Sequence, residues 1–202
     1  MIHIFPVVLE EQTVTSYYSE EELAGLGLAA YGEDVRLSRR ASLYSPERIR
    51  LGSHVRIDDF CLLSGSITLG DYIHLAAGVL LFGGQAGIEI GSYSTLSSRC
   101  AAYALTDDYS GAYMTNPTVP EAYTRVEQTP VRVGCHVIVG TGSTLLPGAL
   151  LAEGCAVGAM SLIRGETAPW GIYAGIPARR IKERSRELLT RFAQWQSERS
   201  EG

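Results

Sequence analysis

The sequence has no Cys-x-x-Cys pair and no cluster of cysteine with histidine, although it carries four of each, so neither a metal framework nor a disulfide scaffold is expected. It has no apolar run long enough to span a bilayer. Its start, Met1-Ile-His-Ile-Phe-Pro, lacks the basic region and long apolar core of a signal peptide, so a cytoplasmic protein without a membrane span is expected. Positive charge is not in excess either: 17 Lys and Arg stand against 22 Asp and Glu, for a formal net charge of -5 and a pI near 5.4. That balance disfavours a nucleic-acid partner or an anionic membrane surface.

What is present is a period. From Val133 the chain reads in sixes: Val133-Gly-Cys-His-Val-Ile, Val139-Gly-Thr-Gly-Ser-Thr, Leu145-Leu-Pro-Gly-Ala-Leu, Leu151-Ala-Glu-Gly-Cys-Ala, Val157-Gly-Ala-Met-Ser-Leu. An aliphatic residue opens each six, and a small or slender one (Val137, Ser143, Ala149, Cys155, Ser161) follows four places later. A period of six is a multiple of the strand period but not of the helical 3.6, so this is a strand-and-turn array. Such an array winds into an all-β solenoid, a parallel β-helix of triangular coils with the aliphatic residues inside; one coil cannot bury its own face, so coils must stack. The 22 glycines and 46% apolar content agree with turn-dense β structure. Cys61, Cys100 and Cys155 fall in the small inward slot and read as packing groups, whereas Cys135 lies at a corner.

The sixes divide the chain. Residues 1–34 form a lead-in: an edge strand or extended segment over 1–16, then a capping box at Ser19-Glu-Glu-Glu22 that predicts a short helix to about Leu28, ended by Gly32. The array occupies 35–168. It is imperfect near Leu37 and Leu43, where Pro46 interrupts; it is regular from Leu51 and carries three extra residues around Gly87 to Glu89. It is broken between 108 and 130 by a loop with three tyrosines, an asparagine, an arginine and acidic residues. Long excursions from a compact scaffold are usually functional or disordered, and this one is suited to contact a polar ligand with rings or hydroxyls, or is a tolerated insertion. Residues 169–202 form an extension with a terminal helix from about Glu183 to Ser197, whose stripe of Leu188, Leu189, Phe192 and Trp195 suits a cap over the open end or an oligomer contact.

The sixes, the in-frame loop, the run Val139-Gly-Thr-Gly-Ser-Thr-Leu-Leu-Pro-Gly and the closing Gly175-Ile-Pro-Ala-Arg resemble the left-handed β-helix hexapeptide-repeat acyltransferases over roughly residues 35 to 182. Within them the chain looks most like the sugar acetyltransferases of bacterial surface-polysaccharide synthesis, acting on galactosides and on 4-amino-4,6-dideoxy sugar nucleotides. The resemblance implies a homotrimer, acetyl-CoA as donor, no metal, and active sites in clefts between adjacent prisms. It assigns Gly140, Thr141, Gly142, Ala159, Met160 and Ser161 to the corners that hold the pantetheine arm, and Gly175, Ile176, Pro177 and Ala178 to the segment beside the coenzyme. Glycine at a corner lets a thin ligand approach the backbone, but it is also needed simply to turn. Arg179, Arg180 and Lys182 supply the charge a nucleotide 3′-phosphate requires, or are a solvated cluster.

Acyl transfer from a thioester needs a nucleophile, a proton acceptor and a donor for the oxyanion. His54 and His136 share an outward corner slot, whereas His74 is the candidate base or carbonyl contact: stacking puts it beside Thr95 and Ile138, and related amino-sugar enzymes carry a similar segment there. Galactoside-type members have a histidine where the chain leaves the coil for the loop; here the residues are Thr106-Asp107-Asp108-Tyr109. That departure points away from simple O-acetylation and toward Asp107 and Asp108 binding and deprotonating an ammonium, with Tyr109 as a hydrogen-bond partner and Tyr113 and Asn116 on the loop. The Asp pair could also be an ordinary turn initiator. Asp58 and Asp59 form a second acidic pair at a corner, and the resemblance to the amino-sugar enzymes implies acceptor-binding or catalytic residues near such a position. The expected function is therefore transfer of an acetyl or short acyl group to the amine of a nucleotide-linked amino-deoxy sugar. O-acylation of a sugar hydroxyl is the alternative, and a zinc-dependent β-helix carbonic anhydrase or a non-catalytic solenoid stands further off.

Overall fold

A computed structural model describes residues 16–200; the expected lead-in over the first fifteen residues, and His3 with it, lies outside them. The sixes wind as the period requires. Ile57 and Leu75, three sixes apart, are Cα partners on adjacent coils, and the same inward column runs Leu37, Ile57, Leu75, Leu96, Val139, Val157, Tyr173. A second column is Leu43, Leu63, Leu81, Ala102, Leu145, Ile163, and a third is Leu51, Leu69, Ile90, Val133, Leu151. All pairings within these columns are parallel. The first face is an eight-stranded sheet. The other two form one nine-stranded sheet, because the strands Leu62–Leu69 and Leu80–Ile90 bend through the corner between them.

The small fifth slots close the corners from inside. Ser94 and Ser143 are buried, and each hydroxyl donates to a carbonyl of the next coil, Gly134 at 2.9 Å and Gly158 at 3.0 Å, while accepting an amide. Cys61, Cys100 and Cys155 fill the same slot as buried free thiols, and burial pushes Cys61 up to about 11. Cys135 is exposed at its corner. No buried side-chain nitrogen or oxygen lacks a partner among the described residues.

Several boundaries differ from expectation for identifiable reasons. The capping box forms, with the Glu22 amide on Ser19 Oγ at 3.3 Å and the Ser19 amide on Glu22 at 2.8 Å, but helix α1 is only Glu20–Ala24. It ends at Gly25 because the chain is drawn into the coil: the Ala29 amide donates to Ile49 O and Ala30 bridges Arg50. The terminal helix α2 is Glu187–Ser200, starting later than predicted, because Ala178–Glu183 is instead a strand antiparallel to Gly171–Gly175. That hairpin lies at the end of the eight-stranded sheet. Its last strand carries Arg179, Arg180, Lys182 and Glu183, charges that discourage pairing with another edge.

Helix α2 therefore does not cover the open end; it lies on one corner of the prism. His54, Tyr72, Tyr93 and His136 occupy that corner on successive coils with φ of 57°, 56°, 63° and 58°, a region that side-chain-bearing residues rarely adopt. Their rings stack at centroid spacings of 4.4, 5.0 and 5.1 Å. Phe192 packs edge-on against Tyr93 and His136, and Trp195 against Tyr72. The next corner residue is Gly154, where a Cβ would sit 2.4 Å from the ring of buried Trp170.

If the inward columns carry the stability, Leu81→Ala, at a fully buried site, should lower the unfolding free energy by about 2–5 kcal/mol. Chemical denaturation reads this directly, and parent-like stability would contradict the packing.

Candidate active site

The long excursion is rooted on a short antiparallel pair, Leu105–Asp107 with Val126–Gln128, so that Asp107 faces Val126 at the last paired position. Below it, the outward side chains of Phe82 and Tyr103, Cα partners on adjacent coils, stack at 4.9 Å and 9°. A cavity of about 740 Å³ opens between them and the loop, lined also by Asp107, Tyr109, Thr144 and Pro147. A second, of about 710 Å³, is lined by Asp107, Asp108, Tyr109, Tyr113 and Asn116. The two share Asp107 and Tyr109.

The adjacent aspartates are not equivalent. Asp108 accepts from Ser110 Oγ at 2.8 Å and from the amides of Gly111, Ala112 and Tyr113 at 3.0 to 3.3 Å. The Ser110 hydrogen bond, ahead of those from the amides, holds its carboxyl below the usual range. It is a turn former of the kind the sequence left open. The carboxylate of Asp107 has no hydrogen-bond or ion-pair partner among the described residues.

His74 belongs to a different face. It lies on the eight-stranded sheet with Thr95 as its Cα partner and Ile138 beyond, as stacking required. Its Nε2 is 2.9 Å from Asp58 Oδ2, and Asp58 Oδ1 accepts from Arg56 Nε at 2.7 Å and from the Tyr17 hydroxyl at 3.0 Å. Asp59 accepts from Ser38 and from Arg40. Both members of this acidic pair are thus engaged within the protein. His54 and His136 stand apart, in the stacked corner.

Between His74 and Asp107 runs the corner that joins their faces, built from residues 76–78, 97–99, 140–142 and 158–160. Gly140 is required there, since a Cβ would sit 2.5 Å from the Ala159 amide nitrogen, and Gly142 has φ of 68°. Thr141 Oγ1 donates to Ser98 O at 2.6 Å. The Ser161 hydroxyl is buried, donates to Gly158 O and accepts the Gly175 amide at 3.1 Å. Ser161 therefore ties the Gly175-Ile176-Pro177 turn to the corner. Ile176 is exposed next to the cis Ile176–Pro177 bond. Arg179 donates to Ala178 O, Arg180 pairs with Glu183, and Lys182 faces Ile172. The residues expected to hold a coenzyme are accordingly gathered along one corner and its adjoining hairpin, whereas His74 and Asp107 are not brought together within one copy. Sequence reasoning missed the Phe82 and Tyr103 stack; its signal was two aromatics in the same outward slot of consecutive coils.

No family model matches the chain. It is similar to the dTDP-4-amino-4,6-dideoxy-D-glucose acyltransferase of Escherichia coli, 41% identical over 177 residues that span 86% of this chain and 92% of that protein. Among solved structures it is similar to AntD, an N-acyltransferase from Bacillus cereus. In the complex of an AntD variant with dTDP-4-amino-4,6-dideoxyglucose and coenzyme A, the identity is 41% and the TM-score 0.89, over 92% of this chain and 99% of that one; AntD is also known with dTDP and 3-hydroxybutyryl-CoA. A more distant relative is the putative lipopolysaccharide biosynthesis O-acetyl transferase WbbJ of Escherichia coli strain K12, 28% identical over 70% of this chain and 71% of that protein.

The His74 cluster makes a prediction of its own. Burial works to raise the Asp58 carboxyl, but hydrogen bonds from His74, Arg56 and Tyr17 outweigh it and leave the group below the usual carboxylate range. A carboxyl lowered by folding stabilises the protein fully above its unfolded value and loses that contribution as pH falls through the folded one. Asp58→Asn should therefore flatten the decline of melting temperature below about pH 4; an unchanged slope would count against the cluster.

Proposed function

We infer from the family to which this chain belongs, the hexapeptide-repeat acyltransferases, and from the cavity at Asp107, how the chain acts. It is an acyl-CoA-dependent sugar N-acyltransferase: it moves an acetyl or similar short acyl group from its coenzyme A thioester to the amine of a nucleotide-linked amino-deoxy sugar, a step of surface-polysaccharide synthesis. The observation that carries our assignment of the site is the unpartnered Asp107 carboxylate over a cavity floored by two stacked aromatic rings.

The chemistry follows from what an amine needs. A neutral amine attacks the thioester carbonyl without prior deprotonation, and the nitrogen becomes strongly acidic only once the new C–N bond forms. A carboxylate within reach then suffices as acceptor for that proton, while the thiolate of coenzyme A leaves and is protonated. Asp107 takes this role on our reading. Asp108 shapes the loop that carries Tyr109, Tyr113 and Asn116 to the acceptor. The Gly140–Gly142 corner, Ala159, the Gly175-Ile176-Pro177 turn and the basic edge strand hold the coenzyme, with Lys182 and Arg179 suited to its phosphates. The chain works as a cytoplasmic homotrimer, in which His74, oriented by Asp58, meets the thioester across the cleft between copies. No helix among the described residues is long and apolar enough to cross a membrane.

Thiol release from acetyl-CoA in the presence of dTDP-4-amino-4,6-dideoxyglucose tests the assignment. Asp107→Asn should lower kcat by about 10²–10⁴. Asp108→Asn should mainly raise KM for the sugar, and His74→Ala should slow turnover with little change in melting temperature, since Asp58 keeps its hydrogen bonds from Arg56 and Tyr17. Turnover with hydroxyl sugars only would favour O-acylation, the activity in the name of the more distant WbbJ.

A further inference from the structure

The two interruptions of the hexapeptide frame meet in space. The strand Leu80–Ile90 carries the first: it pairs with its lower neighbour as Gly65 to Gly84 and then as Ile67 to Ile88, which leaves residues 85–87 outside the register. Backbone amides in such a gap need another acceptor. The side chain of Gln128 supplies it, for its Oε1 accepts the Gln85 amide at 2.7 Å and the Ala86 amide at 3.3 Å. Gln128 comes from the second interruption. It is the last residue of Val126–Gln128, opposite Leu105, at the start of the three-residue strand that ends at Asp107. The fit is close on both sides, since a Cβ on Gly84, whose φ is 53°, would stand 2.7 Å from that Oε1 and 3.3 Å from Leu105 Cδ2.

We propose that Gln128 is a positioning residue for the acyl transfer: by gripping the bulge at 85–86 it fixes the root of the loop, and through it the direction of the Asp107 carboxylate over the cavity. The extra residues near Gly87 are then the socket for the loop, and the two departures from the period form one device. This rests on Asp107 being the proton acceptor. Gln128 touches no reacting atom; it acts through placement, and a displacement of about 1 Å at a reacting group can cost on the order of a hundredfold in rate.

The test compares Gln128→Ala, Gln128→Glu, Asp107→Asn and the double variant Asp107→Asn/Gln128→Ala in the full-length protein, by thiol release with dTDP-4-amino-4,6-dideoxyglucose and by thermal melting. Gln128 is exposed, so parent-like melting is expected. Gln128→Ala should lower kcat by about 10- to 100-fold with KM for acetyl-CoA unchanged. Gln128→Glu, which keeps an acceptor oxygen at the same reach, should restore most of the rate. The double variant should be no slower than Asp107→Asn, because a group that acts only through Asp107 adds nothing once Asp107 is gone. Parental turnover of Gln128→Ala beside a slow Asp107→Asn overturns this inference and leaves the proton acceptor standing, as does a double variant slower than either single one. Parental turnover of Asp107→Asn overturns the acceptor and this inference with it.

Discussion

Everything in this molecule depends on one constraint: an inward aliphatic side chain is removed from water only if a coil lies above it and another below. Each coil is too thin to hold a core, so burial comes from the columns, and the columns exist only if every coil returns to the same register. The corners must then turn in the same place each time. That is why residues as bulky as Tyr72 and Tyr93 tolerate left-handed backbone: the neighbouring rings and helix α2 make up in stacking what the conformation costs. It is also why glycine is indispensable at Gly140, where the next coil leaves no room for a Cβ.

A scaffold governed in this way admits extra residues only where they can leave and re-enter without shifting the columns. The loop between Asp107 and Val126 does so: Leu96 and Val139 flank it in sequence yet stack directly. The smaller insertion after Gly84 does so as a bulge, with Leu69 and Ile90 still paired. Functional groups can therefore be hung on the prism without loosening it. The corner we assign to the coenzyme is built from backbone and small side chains, and the cavity we assign to the acceptor is built from what the loop and two outward aromatics enclose.

The period of six made the fold legible, because inward slots, small slots and corners are read from spacing alone; Cys61, Cys100 and Cys155 are packing groups for that reason. The capping box at Ser19 was legible too, since its bonds are local. What was not legible depends on contacts distant in sequence. Helix α1 ends early because Ala29 and Ala30 join a coil twenty residues on. The basic segment after Pro177 is a strand because Gly171–Gly175 lies beside it. Helix α2 chose a corner over the open end because four rings from four coils stand there in a row. Within the candidate site, residue types could nominate Asp107 and Asp108 together, but only the amides of Gly111 to Tyr113 show that one of them is already occupied. Likewise Asp58 was readable as an acid at a corner, not as the partner of His74.

Where the acceptor amine sits decides whether Asp107 takes its proton. A crystal structure of this protein with coenzyme A and dTDP-4-amino-4,6-dideoxyglucose tests it most directly. The amine is expected within hydrogen-bond reach of an Asp107 oxygen, about 2.6–3.2 Å, with the coenzyme along the Gly140–Gly142 corner. An amine held by other groups, with Asp107 facing only solvent, would contradict it.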